Sequence, residues 1–260
     1  LEIQKPQTIA FDLMFVKSLK SKTEADNSLA DVFKKYDNLY TAMNLDNQSV
    51  ELREPVDLPD KLSVKVENKS KQVDFESLSF QNCRAILPQI INATSNIGMI
   101  NVSRADDGIL RKMPLFVKYK DKFYPQLSFK VAMGLIKDHE NYSQSEYTIG
   151  KNSVLKFGKR NIFVDNDGSA ILNWYGAIGT YQQIPLYKLL KMSESKLNGK
   201  YLFQNKIIYF GTTAASLFDI KTTPVAKVYP GVEVQATYLN NILDKLRSNA
   251  SQARYPGILC

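Results

Sequence analysis

The sequence has very little of the chemistry that metal sites and histidine-dependent hydrolases require. It contains two cysteines, Cys83 and Cys260, and a single histidine, His139. Two cysteines so far apart form neither a disulfide framework nor a four-thiolate metal site, although one bridge or two free thiols both remain open. His139 falls at the predicted end of a helix, where an exposed imidazole interacts favourably with the helix dipole. We therefore expect no bound metal and no Ser-His-Asp catalytic site.

Long hydrophobic runs and the common nucleotide-binding and nucleophile motifs are also missing. No stretch approaches the roughly 18 consecutive apolar residues that a membrane-spanning helix needs, and no signal peptide is recognisable. The patterns G-x-S-x-G, G-x-G-x-x-G, H-E-x-x-H and the P-loop do not occur. The sequence thus predicts no cofactor. It begins at Leu1 without an initiator methionine, so we interpret it as part of a longer protein.

Positive charge is abundant but not concentrated. Lysine and arginine number 34 against 26 acidic residues, which gives a net charge of +8. The densest stretches, Lys17–Lys22, Lys61–Lys71 and Arg111–Lys122, alternate cations with polar, acidic or apolar residues. A nucleic-acid surface needs cations clustered on one face, so we expect a solvated surface and no nucleic-acid partner. Attraction to anionic lipid headgroups is the alternative.

Two nearly continuous apolar runs, one near each end of the chain, indicate the fold class. Thr8–Phe15 and Asn205–Gly211 have the length and composition of strands buried on both faces, as in parallel sheets. A predicted helix capped at Asp26–Ser28 separates the first run from a strand at Leu39–Leu45, which makes a crossover unit. We predict an α/β fold with a mainly parallel central sheet, helices on both faces and antiparallel hairpin additions. In that sheet the two apolar strands should lie side by side.

The remaining segments show weaker patterns. Polar residues over Asp46–Ser77 predict a long surface excursion, and Pro88 within Ile86–Ile91 predicts a loop or a sheet edge. The Asp167-Gly168 pair predicts a tight hairpin between the apolar segments on either side of it. Apolar residues at helical spacing predict two further helices, at Pro125–Lys137 and Pro230–Lys245.

Several polar residues lie where the predicted strands end. Asp12 interrupts the first apolar run, and a buried carboxylate is costly without a partner. It either faces a polar pocket at the carboxyl end of its strand, where open α/β sheets bind ligands, or pairs internally. Asp107-Gly108 precedes Arg111, a pattern that fits acid–base or cation-binding chemistry or simply a turn closed by an ion pair.

Two further strand ends carry polar side chains next to a glycine. Gly211-Thr212-Thr213 follows the last apolar strand, with Asp219 a few residues on. This segment either presents backbone N–H groups to an anion or forms an ordinary turn. Asn173-Trp174-Tyr175-Gly176 closes another predicted strand.

Taken in order, these segments resemble the type-two CHASE domain, an extracellular sensory domain associated with bacterial cyclases and histidine kinases. The resemblance runs in register from about residue 8 to residue 244. A further strand and helix usually precede the Ala10–Phe15 strand in this family, and we expect that they are missing here. The matching motifs are Ala10-Phe-Asp-Leu-Met-Phe15, Asp26-x-x-Leu29-Ala30, Gly98-x-x-Asn101, Asp107-Gly108 with Arg111-x-x-Pro114-Leu115, Tyr124-Pro125-x-Leu127-Ser128, Leu172-Asn173-Trp-Tyr175-Gly176, Lys206-Ile-Ile-x-x-Gly211-x-Thr213-Ala214, Asp219, Thr223-Pro224 and Tyr229-Pro-Gly-Val-Glu233-x-x-Ala236.

The resemblance implies a periplasmic or extracellular input module of a bacterial inner-membrane protein, and not an enzyme. Such domains sit between an N-terminal membrane helix and a C-terminal group of membrane helices, and their cytoplasmic outputs are nucleotide cyclases or kinases. We accordingly divide the chain into a sensory domain, residues 1–246, and a membrane-proximal linker, residues 247–260. In the full-length protein we expect a homodimer, with the signal leaving through the C-terminal helix Val232–Leu246.

We predict that an unidentified stimulus is sensed at the strand ends. Two alternatives remain: a periplasmic enzyme that uses Asp12, Asp107 and Arg111 in one cleft, and a dimerisation or assembly module. A cavity lined by polar groups favours the sensor, whereas a flat apolar patch favours assembly. The candidate ligand-binding residues are Asp12, Asn101, Asp107, Arg111, Asn173, Tyr175, Thr213 and Asp219.

Overall fold

The chain folds as a central sheet with helices on both faces and several smaller sheets beside it. The computed structural model describes residues 5–16, 23–47, 56–84, 86–103, 105–140, 146–158, 160–191, 202–213, 219–244 and 258–260. The α-helices within them are α1 (Thr23–Lys35), α2 (Pro88–Ala93), α3 (Leu127–Glu140), α4 (Leu186–Lys191) and α5 (Gly231–Asp244). The strands are β1 (Thr8–Phe11), β2 (Leu39–Asp46), β3 (Lys65–Asn68), β4 (Ser79–Phe80), β5 (Asn82–Arg84), β6 (Ile97–Met99), β7 (Lys112–Pro114), β8 (Phe116–Tyr119), β9 (Lys122–Pro125), β10 (Glu146–Ile149), β11 (Val154–Phe157), β12 (Arg160–Phe163), β13 (Ser169–Ile171), β14 (Ile207–Phe210), β15 (Ile220–Thr223), β16 (Ala226–Pro230) and β17 (Ile258–Leu259).

The central sheet has the order β17-β14-β1-β2, with β6 and β5 sharing the other edge of β2. β1 pairs in parallel with β14, Thr8 opposite Ile207, and in parallel with β2, Ile9 opposite Leu39. β6 and β17 are also parallel additions, and β5 is antiparallel. The predicted α/β class and the pairing of the two apolar strands are therefore confirmed.

Alternation along β1 and β14 assigns the two faces of this sheet. Ala10 is paired with Tyr209, and the Tyr209 hydroxyl lies 2.8 Å from the hydroxyl of Ser128 at the start of α3. Phe11 points to the opposite face, and its ring centroid lies 5.9 Å from that of Phe33 in α1. Helices α3 and α1 thus cover opposite faces, which explains why β1 is apolar on both sides.

A buried polar network joins α3 to α5. Gln126 Nε2 donates to Gln235 Oε1 at 2.7 Å, and the Ser128 hydroxyl donates to the Gln235 carbonyl at 2.8 Å. Gly98 in β6 lets the sheet approach this point closely, since a Cβ there would lie 2.4 Å from the Leu127 Cα. Because buried polar groups require partners, the network fixes the first turn of α3 against α5.

The smaller sheets are mixed or antiparallel. Four strands follow the order β12-β11-β10-β3, three form β4-β8-β9, and β7–β13 and β15–β16 form pairs. Aromatic rings of Phe116, Phe129, Tyr147 and Phe157 pack the four-stranded sheet against α3, with centroid distances between 4.8 and 5.2 Å for the closest pairs. Hairpins such as β8–β9 and β11–β12 confirm the predicted antiparallel additions.

The predicted surface excursion at Asp46–Ser77 is correct only in part, because most of its described residues are exposed but several of its apolar residues reach the core. It contributes β3 and buries Leu62, Val73 and Phe75. The Phe75 ring packs edge-on against Phe123 with centroids 4.9 Å apart. These apolar residues have no regular spacing, since each contacts a distant segment rather than forming one face of a helix or strand.

Two other local interpretations are corrected by the pairing and the backbone. The loop or edge predicted around Pro88 is helix α2, which begins at that proline because the first helical turn needs no N–H there. Gly168 does adopt a turn conformation, with φ of 80°, but the flanking strands are not a hairpin. β12 pairs with β11, and β13 pairs with β7, so the turn links two sheets.

The last described residues return to the central sheet. Ile258–Leu259 forms β17, a parallel edge strand on β14. It lies within the segment 247–260 that we predicted to be a linker, of which residues 247–257 are outside the described part. Cys83 and Cys260 are both free thiols, so no disulfide bond joins them.

Candidate functional site

A polar cleft lies at the carboxyl ends of β1 and β2, beside the start of α5. Its volume is about 490 Å³, and its lining comes from several segments that are distant in the sequence. Three of the predicted site residues, Asp12, Asn101 and Asp219, line it. This is the position at which open α/β sheets bind ligands.

Asp12 reaches the cleft because β1 ends one residue earlier, at Phe11. The Asp12 backbone N–H donates to the Phe210 carbonyl at 2.8 Å, which continues the pairing with β14 by one residue. Burial raises the pKa of the Asp12 carboxyl from 3.8 to about 7, repulsion from Asp219 adds to the rise, and Lys221 opposes it. The carboxyl group therefore changes charge close to neutral pH.

Asp219 places a second carboxylate against the first turn of α5. Lys221 Nζ lies 2.9 Å from Asp219 Oδ1, and the Gly231 N–H donates to the Asp219 carbonyl at 2.9 Å. A Cβ at Gly231 would lie 2.0 Å from Asp219 Oδ2, so only glycine admits this contact. The positive end of the helix dipole stabilises the carboxylate there.

Asn101 lines the cleft, but its side-chain amide is already hydrogen-bonded to the backbone of Leu45. Its Nδ2 donates to the Leu45 carbonyl at 2.7 Å, and the Leu45 N–H donates to its Oδ1 at 3.0 Å. The side chain replaces a neighbouring strand at the end of β2. We assign it a positioning role, since it holds the cleft wall and has little capacity left for a ligand.

Asp107 and Arg111 form an exposed ion pair that does not line the Asp12 cleft. Arg111 Nη1 and Nη2 donate to the two Asp107 oxygens at 2.9 and 2.7 Å. The hydrogen bond from Arg111 lowers the pKa of Asp107 to about 2. The turn interpretation accounts for both residues, and the structure gives no support to an enzyme that uses them together with Asp12.

Asn173 and Tyr175 are hydrogen-bonded to the C-terminal half of α5. The Asn173 backbone N–H donates to Asn241 Oδ1 at 2.7 Å, and Asn241 Nδ2 donates to the Asn173 carbonyl at 2.9 Å. The Tyr175 hydroxyl donates to Asp244 Oδ2. These contacts tie the 173–175 segment to the second half of the helix, away from the cleft.

Thr213 lines a different cavity, beside β14. That cavity has a volume of about 540 Å³ and is mostly apolar, with α4, Phe11 and Phe210 among its walls. The eight predicted residues therefore occupy four separate places, and three of these residues line the Asp12 cleft.

Lys221 and Gln235 are among the cleft residues that were not predicted. Lys221 follows Asp219 by two residues and so lies on the same side of an extended chain, a spacing that could have suggested the pair. Gln235 lines the cleft from α5 while it also accepts from Gln126. Its sequence signal was weak, because one polar residue within an apolar helix face is compatible with many roles.

No cluster of three or more potential metal-ligating side chains occurs in the part of the chain that the structure describes. Among the same residues, no helix is long and apolar enough to cross a membrane.

The family comparison agrees with this architecture. A family model described as the CHASE2 domain matches residues 1–258. No curated protein and no solved structure shows a significant match to the chain. The chain belongs to the CHASE2 domain family, whose members are extracellular or periplasmic sensory domains of cyclases and histidine kinases.

Proposed function

We propose that this chain is the input module of a bacterial signalling protein anchored in the inner membrane, and that the Asp12 cleft receives the stimulus. The output would be a nucleotide cyclase or a kinase, in a homodimer held by membrane helices that flank the module. One observation carries the proposal: the first turn of α5 forms a wall of the cleft through Gly231 and Gln235. A ligand in the cleft would therefore directly contact α5, the last helix in the part of the chain that the structure describes.

The charges of the cleft favour a small cationic or hydrogen-bond-donating ligand. Asp12, Asp46 and Asp219 line it, and Lys221 is the one cation among its described lining residues. A cationic group would favour the ionised form of Asp12 and lower its pKa from about 7. Such a ligand would bind more tightly as the pH rises through that value.

The contacts of α5 suggest how the binding of a ligand in the cleft would be transmitted to the rest of the domain. Gln235 joins the cleft wall to Ser128 of α3 and to Gln126 just before that helix. Asn241 and Asp244 fasten the other end of α5. A ligand shifts such a system only by its difference in affinity between two arrangements. We propose that the two arrangements differ in the position of α5, and that this position is transmitted towards the membrane.

Asp219→Asn in the full-length protein is expected to change the basal output about fivefold. The substitution removes the ion pair with Lys221 and the charge that faces the first turn of α5. If the substitution destabilises one of the two arrangements by about 1 kcal/mol more than the other, the equilibrium between them shifts by roughly this factor. The measurement is output enzyme activity in membrane vesicles, normalised to the amount of folded protein.

Asp107→Asn is the matched control, because it removes an ion pair with an N–O distance of 2.7 Å at an exposed turn outside the cleft. It should leave the output within a factor of about two. The proposal is contradicted if both variants change the output equally, or if Asp219→Asn leaves it unchanged.

A further inference from the structure

A second polar cavity lies at the opposite end of the strands of the central sheet, near the amino ends of β2 and β6. Its volume is about 290 Å³. Tyr40 near the start of β2 and Asn96 just before β6 form one side, and α3 forms another through Lys130 and Lys137. Because the Asp12 cleft is at the carboxyl ends of the same parallel strands, the two sites lie at opposite ends of the strands.

Cations line this cavity without acidic counterparts. Its described lining includes Lys61, Lys130 and Lys137 and no Asp or Glu. Lys61 Nζ donates to the Asn92 carbonyl at 2.9 Å. Among the described residues, Lys130 and Lys137 have no ion-pair or hydrogen-bond partner for their ammonium groups.

Lys130 is the unusual member of the three. It is half-buried, and burial alone lowers the pKa of its ammonium group from 10.5 to about 8. Buried charges in proteins are nearly always paired, because taking an unpaired ion out of water is costly. A cation left unpaired at a cavity wall is thus favourably placed to bind an anion from solution.

The rest of the lining is suited to an organic molecule. Met133, Tyr147 and Phe157 form an apolar wall, and the two aromatic residues are almost completely buried. An occupant with an apolar part would pack against these side chains and remove the exposed part of Met133 from water, without displacing any charged side chain.

The Tyr40 phenol adds a neutral hydrogen-bond donor beside the lysines. Gly134 makes room for it, since a Cβ there would lie 1.8 Å from the Tyr40 hydroxyl oxygen. Burial raises the pKa of this phenol, and the charges of Asp138 and Asp37 add to the rise, so the group stays protonated at neutral pH. Neither of these two acids lines the cavity.

We propose that this cavity binds a small organic carboxylate, with the carboxylate group at Lys130 and the apolar part against Met133, Tyr147 and Phe157. The site is independent of the Asp12 cleft, and it would make α3 a second ligand-contacting helix of the domain. Gln126 and Ser128 at the start of α3 bond to Gln235, which lines the cleft from α5, so the two sites would contact two helices that are hydrogen-bonded to each other.

Benzoate is the probe, because it combines a carboxylate with an apolar ring. The 260-residue chain is labelled with ¹³C at the lysine ε carbons, and Lys130 is titrated by NMR with and without benzoate. Saturating benzoate should raise the pKa of Lys130 by about one unit, as a nearby opposite charge does. Lys130→Met, which keeps the length and apolar stem of the side chain, should weaken binding about tenfold or more.

Lys156→Met on β11 is the matched control, since Lys156 is exposed and does not line the cavity. It should leave benzoate affinity unchanged. The wild-type titration keeps the test decisive even if Lys130→Met fails to fold. The proposal is overturned if benzoate at millimolar concentration leaves the Lys130 titration unchanged, if Lys130→Met binds equally well, or if inorganic phosphate binds there and benzoate does not.

Discussion

Asp12→Asn is expected to reduce the pH dependence of stability between roughly pH 4 and pH 7, and to stabilise the chain by about 2 kcal/mol at pH 8. The pKa of Asp12 rises from 3.8 to about 7 on folding. Between these values the folded chain holds a proton that the unfolded chain has released, so stability is greatest at low pH and falls until the pH passes about 7. Asparagine resembles the protonated carboxyl group and does not ionise.

Urea denaturation at a series of pH values measures this effect. Asp107→Asn is the control, because the pKa of Asp107 is lowered to about 2 and that group stays ionised throughout the range. It should retain the wild-type slope of stability against pH. An unchanged slope in Asp12→Asn would mean that the Asp12 carboxyl is not held in the environment described above.

Glu233→Ala is expected to lower the free energy of unfolding by about 3 kcal/mol. Glu233 is fully buried on α5. Its oxygens accept from the Gly179 N–H at 3.1 and 3.2 Å and from Gln183 Nε2 at 2.6 Å. Alanine would leave these donors without an acceptor and would open a cavity in the core.

Glu233→Gln separates the two contributions to that loss. It keeps the volume and one acceptor oxygen, so it should cost about half as much as alanine. Thermal and urea unfolding of both variants provide the measurement. A loss under about 1 kcal/mol in Glu233→Ala would show that solvent replaces the carboxylate and that the 179–183 segment is not fastened through it.

The central sheet was predictable because its strands are buried on both faces. The runs around Ile9 and Ile207 are apolar without alternation, and that pattern is typical of neighbouring parallel strands between helices. The position of Asp12 followed from the same reasoning, since a polar residue that ends such a strand lies where ligands bind.

The rest of the site depends on contacts that local patterns do not encode. Asp107 and Arg111 looked like site residues, but a pair four residues apart closes its own turn and needs no cleft. Lys130 gave no signal, because a lysine within a helix is ordinarily exposed and only its tertiary surroundings bury it. The core residues of Asp46–Ser77 were missed for the same reason.

Amide hydrogen exchange of α5 tests the coupling between the cleft and the helix most directly. It is measured at about pH 5.5 and pH 8 with correction for intrinsic rates, in the wild type and in Asp12→Asn. Ionised Asp12 repels Asp219, which lies against Gly231. When the pH of the wild type is raised from about 5.5 to about 8, the protection of the Gly231–Gln235 amides should therefore fall about tenfold more than that of the β11 amides. In Asp12→Asn the two segments should change together. Equal changes in α5 and β11 of the wild type, or the same α5 response in both proteins, would contradict the account.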